Sequence, residues 1–225
     1  MSAEAERPDP LLWLDDIAEE ERSRVGAKAW ALARLRRAGL PVPDGFVLPA
    51  DAGEPDLADL EAACARLGAV AVRSSAWAED TAEASFAGQY RTELDVRGAK
   101  AVLAALHRCR SAEATPYAAA MGTAAAATGP IPVLVQRFVE PRWAGVVFTR
   151  DPGDPGVLLV ESHPGRGEAL VSGAVTPRRH AIDRETGRPR AGARVADVPD
   201  DDLPAADLVR LVTLARRAEE LFAGP

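Results

Sequence analysis

Lys28 and Arg73 are the cations whose settings best suit chemistry in this sequence, and the chemistry they suit is the holding of phosphate. Lys28 closes Val25-Gly26-Ala27-Lys28, where a helical pattern opens. A glycine just ahead of a lysine at a helix start lets an ammonium reach an anion beside backbone N–H donors. Arg73 ends the apolar run Ala69-Val70-Ala71-Val72 and is followed by Ser74-Ser75-Ala76. An arginine emerging from a buried strand can clamp phosphate bidentately, and small residues after it admit a close backbone approach. Each has an ordinary alternative when taken alone. Lys28 could be a solvated helix lysine, and Arg73 could pair with Glu79 or Asp80 in a surface loop.

Two further stretches carry polar groups at telling places. Ser85-Phe86-Ala87-Gly88-Gln89-Tyr90 closes a long loop of small and acidic residues, and Phe86 could cover a nucleotide; structureless loops of that length inside a domain are usually functional. Val133 to Val139 and Ala144 to Thr149 are β-branched runs separated by a turn. A strand edge following Gln136 can offer backbone N–H and C=O groups to an adenine. Glu161 opens Glu161-Ser162-His163-Pro164-Gly165-Arg166-Gly167-Glu168 and could bond a ribose or approach a metal; the alternative is an exposed edge residue.

The elements that must position these groups are legible from periodicity. Ala29, Leu32, Ala33 and Leu35 recur at helical spacing, with Gly39 and Pro41 ending the pattern. Phe46-Val47-Leu48 reads as a short buried strand and Leu57 to Leu67 as an amphipathic helix stopped by Gly68. Residues 69–73 and 92–96 read as strands, and 99–110 and 112–121 as helices. Residues 124–130 read as a linker. Strands follow at 133–139, 144–149, 157–161 and 178–183, with a closing amphipathic helix over 202–222. A short strand is expected around Leu11 to Leu14. The order gives a mixed α/β half, residues 1–128, and a β-rich half with a closing helix, residues 129–225.

Composition narrows the function classes. The chain has 225 residues, 47% of them hydrophobic, and a net charge of −7. That balance argues against nucleic-acid binding, which needs a clustered basic surface. No run of about 18 apolar residues is present, so no membrane span is expected. Met1 to Pro10 lacks a basic and an apolar stretch, so no signal peptide is expected and the location expected is cytoplasmic. Cys64 and Cys109 lie in no CxxC pair and are expected as reduced thiols. No metal-ligand set is identified among the residues. Arginine supplies almost every cation, the lysines being Lys28 and Lys100 alone, so a retained lysine hints that an ammonium is needed.

Together, VGAKAWALARLRRAGLPVPDGFVL, AVRSSAWAEDTAEASFAGQYRTELDV, VLVQRFVEPRWAGVVFTRDP and ESHPGRGEALVSGAVTPRRHAID resemble the AMP/ATP-binding domain shared by phosphoenolpyruvate synthase, pyruvate phosphate dikinase and rifampin phosphotransferase. The resemblance spans about residues 22–222. It implies an α/β (α+β), ATP-grasp-like fold of two lobes with ATP between them. It implies Lys28 and Arg73 as the phosphate-binding and catalytic cations, with Ser74 beside Arg73. Ser85, Phe86, Ala87, Gly88 and Gln89 match the lid loop over the triphosphate. Gln136, Arg137 and Phe138 match the hinge strand beside adenine. Glu161 and Glu168 match the acidic residues that flank the Gly-rich loop near the ribose. The implied reaction passes ATP's β-phosphate, with Mg²⁺, to a catalytic histidine on another domain or chain, which then serves the acceptor. Phosphoryl transfer of this kind needs positioning and charge neutralisation more than covalent help.

The sequence departs from the family in three places. Gly-Gly-Lys reads Gly26-Ala27-Lys28, and Gly-Leu-Gly-Glu reads Gly165-Arg166-Gly167-Glu168. After Phe222 the family continues into two strands that supply magnesium ligands and γ-phosphate contacts, so a C-terminally truncated domain is expected. The competing expectation is a non-catalytic, degenerate nucleotide-binding or regulatory module.

Overall fold

The computed structural model describes residues 10–75, 92–111, 130–151, 153–190 and 203–222. They form two compact units that divide between Phe138 and Val139. In the first unit the order is β1 (Leu12–Trp13), a short 3-10 turn (Glu19–Glu21), α1 (Arg22–Arg37), β2 (Gly45–Leu48), α2 (Leu57–Leu67), β3 (Val70–Ser74), β4 (Thr92–Val96), α3 (Ala99–Arg110) and β5 (Val133–Arg137). In the second it is β6 (Trp143–Phe148), β7 (Val157–Pro164), the single turn α4 (Glu168–Val171), β8 (Arg178–Asp183) and α5 (Ala205–Phe222).

The five strands of the first unit form one antiparallel sheet in the order β1-β2-β5-β3-β4. Its central strands are apolar because both faces are covered. Alternate residues of a strand point to opposite faces. Accordingly Phe46, Leu48, Val70, Val72, Val133 and Val135 pack with Leu60, Leu67, Val102 and Leu106 of α2 and α3. Val47 and Leu134 face the other way, against Val25, Ala29 and Ala33 of α1. Cys109 lies buried in the first of these layers, and both cysteines are free thiols.

The second unit is a three-stranded antiparallel sheet, β6-β7-β8, with one covered face. Leu158, Val160 and Ile182 pack under Leu208 and Val212 of α5. The opposite face carries Val146 and Phe148, which stay 39% and 40% exposed.

Three expectations change here. The runs beginning at Val133 and Ala144 are not partners: β5 pairs with β2 and β3, while β6 pairs with β7. A β-branched run announces a strand but not its neighbour. For the same reason the first unit runs through β5 to Phe138, beyond the boundary expected at residue 128. The strand at Glu161 continues to Pro164, because Ala144 and Trp143 extend the ladder opposite His163 and Pro164. The expected helix over 112–121 and linker over 124–130 lie largely outside the described residues.

Candidate phosphate-binding seam

The seam is built from a break in α1 and the end of β3. At Gly26 the backbone takes φ 77° and ψ 170°, so the regular helix starts anew at Ala27. Only glycine tolerates this position. A Cβ there would lie 1.4 Å from the carbonyl oxygen of Ser75. The Ala29 N–H donates to Ser75 Oγ at 3.1 Å, satisfying one of the open donors of the restarted helix. Ser75 is in turn fixed by its own N–H, which donates to the Pro132 carbonyl at 2.9 Å. The VGAK and VRSS stretches, far apart in sequence, therefore touch backbone to backbone.

Strand alternation places Arg73 on the same side. In the β3–β5 register Arg73 stands opposite Leu134, and directly opposed residues share a face. Leu134 packs against Val25 and Ala29 of α1. Arg73 thus leaves the sheet on the face that α1 covers, one turn of chain from Ser75, and Lys28 lies within the restarted turn of α1. Both cations are half-buried, whereas Ser74 and Ser75 are fully buried. The stretches that carry Lys28 and Arg73 thus meet at one strand end, beside the Ser75 hydroxyl and a helix start, a setting that suits an anion.

The other expected site residues are placed elsewhere or not described. Ser85, Phe86, Ala87, Gly88 and Gln89 lie outside the described residues. Gln136, Arg137 and Phe138 lie at the far end of β5 from Ser75, and that end is not a free edge. The N–H groups of Arg137 and Phe138 donate to the carbonyls of Asp44 (2.7 Å) and Ala69 (2.8 Å). Gln136 Nε2 donates to the Pro43 carbonyl at 3.0 Å, and Arg137 Nη2 to the Arg66 carbonyl at 3.2 Å. The expectation of an open strand edge there is corrected. β5 is the middle strand of its sheet, so its backbone donors are spent on protein.

In the second unit Glu161 sits on the open face of the sheet, opposite Val146 and Arg179. Arg179 donates to it at 2.7 Å, and the carboxylate is largely covered. Glu168 is exposed at the first position of α4. Arg166, the cation that replaces an apolar residue in the Gly-rich loop, forms a bidentate pair with Glu140 at 2.9 and 2.7 Å. That pair holds the Glu140 carboxyl below its usual range.

Sequence reasoning named Ser75 only as a small residue after Arg73 and passed over Arg24 and Asp51. Ser75 carries the hydroxyl that meets α1, and its signal was only its place after Arg73. Arg24 and Asp51 form an ion pair just ahead of Gly26, the Arg24 Nε N–H being shared between the two Asp51 oxygens at 3.0 and 2.8 Å. That pair lowers the Asp51 carboxyl and raises the Arg24 guanidinium, in each case chiefly through the hydrogen bond between them. No local pattern connects residues 27 positions apart.

Residues 54–198 match the family described as pyruvate phosphate dikinase, AMP/ATP-binding domain. The chain belongs to that family. It is 36% identical to the prodigiosin synthesizing transferase PigC of Serratia marcescens, over 76% of this chain and 23% of that protein. It is 34% identical to a rifampicin phosphotransferase of Streptomyces, over 98% of this chain and 28% of that protein. It is 32% identical to a probable phosphoenolpyruvate synthase of Methanothermobacter thermautotrophicus, over 79% of this chain and 34% of that protein. The chain thus spans only about a quarter to a third of these relatives' length. As a member of this AMP/ATP-binding family it shares its matched region with phosphotransferases, and the Gly26–Ser75 seam lies partly ahead of that region, because the match opens at residue 54. Among the described residues no helix is long and apolar enough to cross a membrane.

Proposed function

We propose that the seam formed by Gly26–Ala29 and Arg73–Ser75 binds the polyphosphate of ATP, with Lys28 and Arg73 as its two cationic clamps. On this reading the chain is the nucleotide-binding part of an ATP-dependent phosphotransferase, of ATP-grasp-like fold. The β-phosphate of ATP passes to a catalytic histidine on a domain or chain outside this one, AMP leaves, the γ-phosphate ends on water or inorganic phosphate as phosphate or pyrophosphate, and the histidine then serves a small-molecule acceptor. The observation that carries the reading is the contact between Gly26 and Ser75, which brings two cation-bearing stretches to one strand end. Family membership supports it independently.

The chemistry asked of the chain is modest. Lys28 and Arg73 neutralise phosphate oxygens and hold the chain of phosphates in one orientation; Arg73 offers a fork and Lys28 a point charge. The helix restarting at Ala27 adds backbone donors. Glu161 and Glu168 remain proposed contacts to the ribose side, and Gln136, Arg137 and Phe138 are proposed to border the adenine through side chains or carbonyls. Ser85 to Gln89 are proposed as the covering loop. Among the described residues no three His, Cys, Asp or Glu side chains gather to hold a metal. The Mg²⁺ that accompanies ATP is therefore assigned no cage in them, and no step is assigned to it.

Calorimetric titration of the chain with Mg·ATP tests the reading. A saturable isotherm is expected, weakened about 10- to 100-fold in Arg73→Ala, the worth of one lost charge-assisted hydrogen-bonding group. Unchanged ATP affinity in that variant removes Arg73 from the site.

A further inference from the structure

The guanidinium of Arg110, at the last position of α3, reaches a loop through its Nη2. Its Nη2 faces three carbonyl oxygens, those of Pro49 (3.2 Å), Ala50 (2.8 Å) and Ala52 (2.7 Å). Burial pushes this guanidinium below the ordinary arginine range, so the side chain is placed there against a desolvation cost. The loop it grips follows β2 and holds the beginning of α1 at two points. The Ala50 N–H donates to the Arg24 carbonyl at 3.0 Å, and the Asp51 carboxylate takes the Arg24 Nε at 3.0 and 2.8 Å. Arg24 also pairs with Glu21. Two residues beyond Arg24 comes Gly26, whose backbone packs on Ser75 and whose restarted helix gives the Ala29 N–H to Ser75 Oγ. Hydrogen bonds thus join α3 to loop 49–52 and that loop to Arg24, and two residues of chain carry Arg24 to the Gly26–Ser75 contact.

We propose that Arg110 is a positioning residue for the seam: by fixing loop 49–52 it fixes Arg24, and so sets where the Gly26–Ala29 turn meets Ser75. This rests on the seam being the polyphosphate site. Arg110 touches no part of that seam itself. Its effect on nucleotide is indirect and falls on the phosphates rather than on the nucleoside.

Hydrogen exchange and calorimetry on the full chain test it together. In Arg110→Met the Ala29 amide is expected to lose about 10-fold of its protection, while the Val135 amide in the middle of the same sheet keeps its own. ATP affinity is expected to fall about 10-fold with adenosine affinity within about twofold, and Arg110→Lys, which keeps a compact donor near the carbonyls, is expected to restore most of both. Asp51→Asn keeps the carbonyls that Arg110 binds and weakens the side-chain arm to Arg24, while removing a charge that also acts on Arg110. It should move both readouts in the same direction by about threefold, and it decides the matter if Arg110→Met does not fold. Unchanged Ala29 protection in either variant overturns the proposal. So does equal loss of protection at Ala29 and Val135, or equal loss of ATP and adenosine binding. Should Lys28→Ala leave ATP affinity intact, the phosphate reading fails by itself; the Ala29 exchange, measured without nucleotide, still judges the positioning.

Discussion

The first unit hides both faces of its sheet, with α2 and α3 on one side and α1 on the other, so that Val47, Leu134, Phe46 and Val135 are all buried. The second hides one face under α5 and leaves Val146 and Phe148 partly in solvent beside the Glu161–Arg179 pair. A doubly covered sheet has no face to give a ligand. Its polar groups then meet at strand ends, as Ser75 and the Ala29 N–H do where β3 runs out and α1 breaks at Gly26. The second sheet keeps only part of its other face in solvent, at Val146 and Phe148 of β6. The two units therefore solve the placement of polar groups in different ways, by local backbone geometry in one and by omission of a layer in the other.

The sharpest way to break this contrast is to compare two glycines with similar φ. Gly26 (φ 77°) is jammed against Ser75, while Gly165 (φ 80°) in the second unit has open space around its missing Cβ. Gly26→Ala should cost on the order of 3 kcal/mol or more, since overpacking adds to the conformational penalty. Gly165→Ala should cost only about 1–2 kcal/mol. Urea denaturation reads both, and equal losses would mean that the Gly26–Ser75 contact is not tight.

Side-chain truncation sharpens the same contrast. Leu134 is fully buried between α1 and the sheet, so Leu134→Ala should cost about 2–5 kcal/mol. Phe148 on the open face should cost well under that, about 0.5 kcal/mol, as exposed positions do. A Phe148→Ala loss matching that of Leu134→Ala would show that the second sheet is covered on both faces in solution.

The smallest expected effect is acid-linked and belongs to the second unit. The Asp183 carboxylate is held at about 2, from a usual 3.8, first by the Thr186 N–H, then by the Thr186 hydroxyl and by Arg190. A carboxyl with a depressed folded pKa adds stability that is fully present above its unfolded value and is lost as pH falls through the folded one. The second unit should therefore weaken between about pH 4 and pH 2, and Asp183→Asn should flatten that part of the profile. A profile of the same slope in both would assign the acid sensitivity to other groups.

Much of the frame was legible in the sequence. The bounds of α2, β4, α3 and β8 follow from amphipathic or alternating spacing and, for α2, from the breaker Gly68, because these signals are local. The restart of α1 after Gly26 was visible for the same reason, whereas its first turn from Arg22 was not, and β3 runs one residue past the expected Arg73 to Ser74. What was not visible is non-local. Nothing near Val133 says that β5 becomes the central strand, so the donors beyond Gln136 looked available when they are spent on Asp44 and Ala69. Likewise nothing near Arg110 or Asp51 announces the loop that they clamp.

Lys28 and Arg73 are proposed to reach one polyphosphate, and a ligand series of adenosine, AMP, ADP and ATP measures that most directly. In the wild-type chain affinity should climb with each added phosphate. Lys28→Ala and Arg73→Ala should each flatten the climb while leaving adenosine where it was. A climb that survives intact in both variants, or a loss already complete at adenosine, would contradict the account.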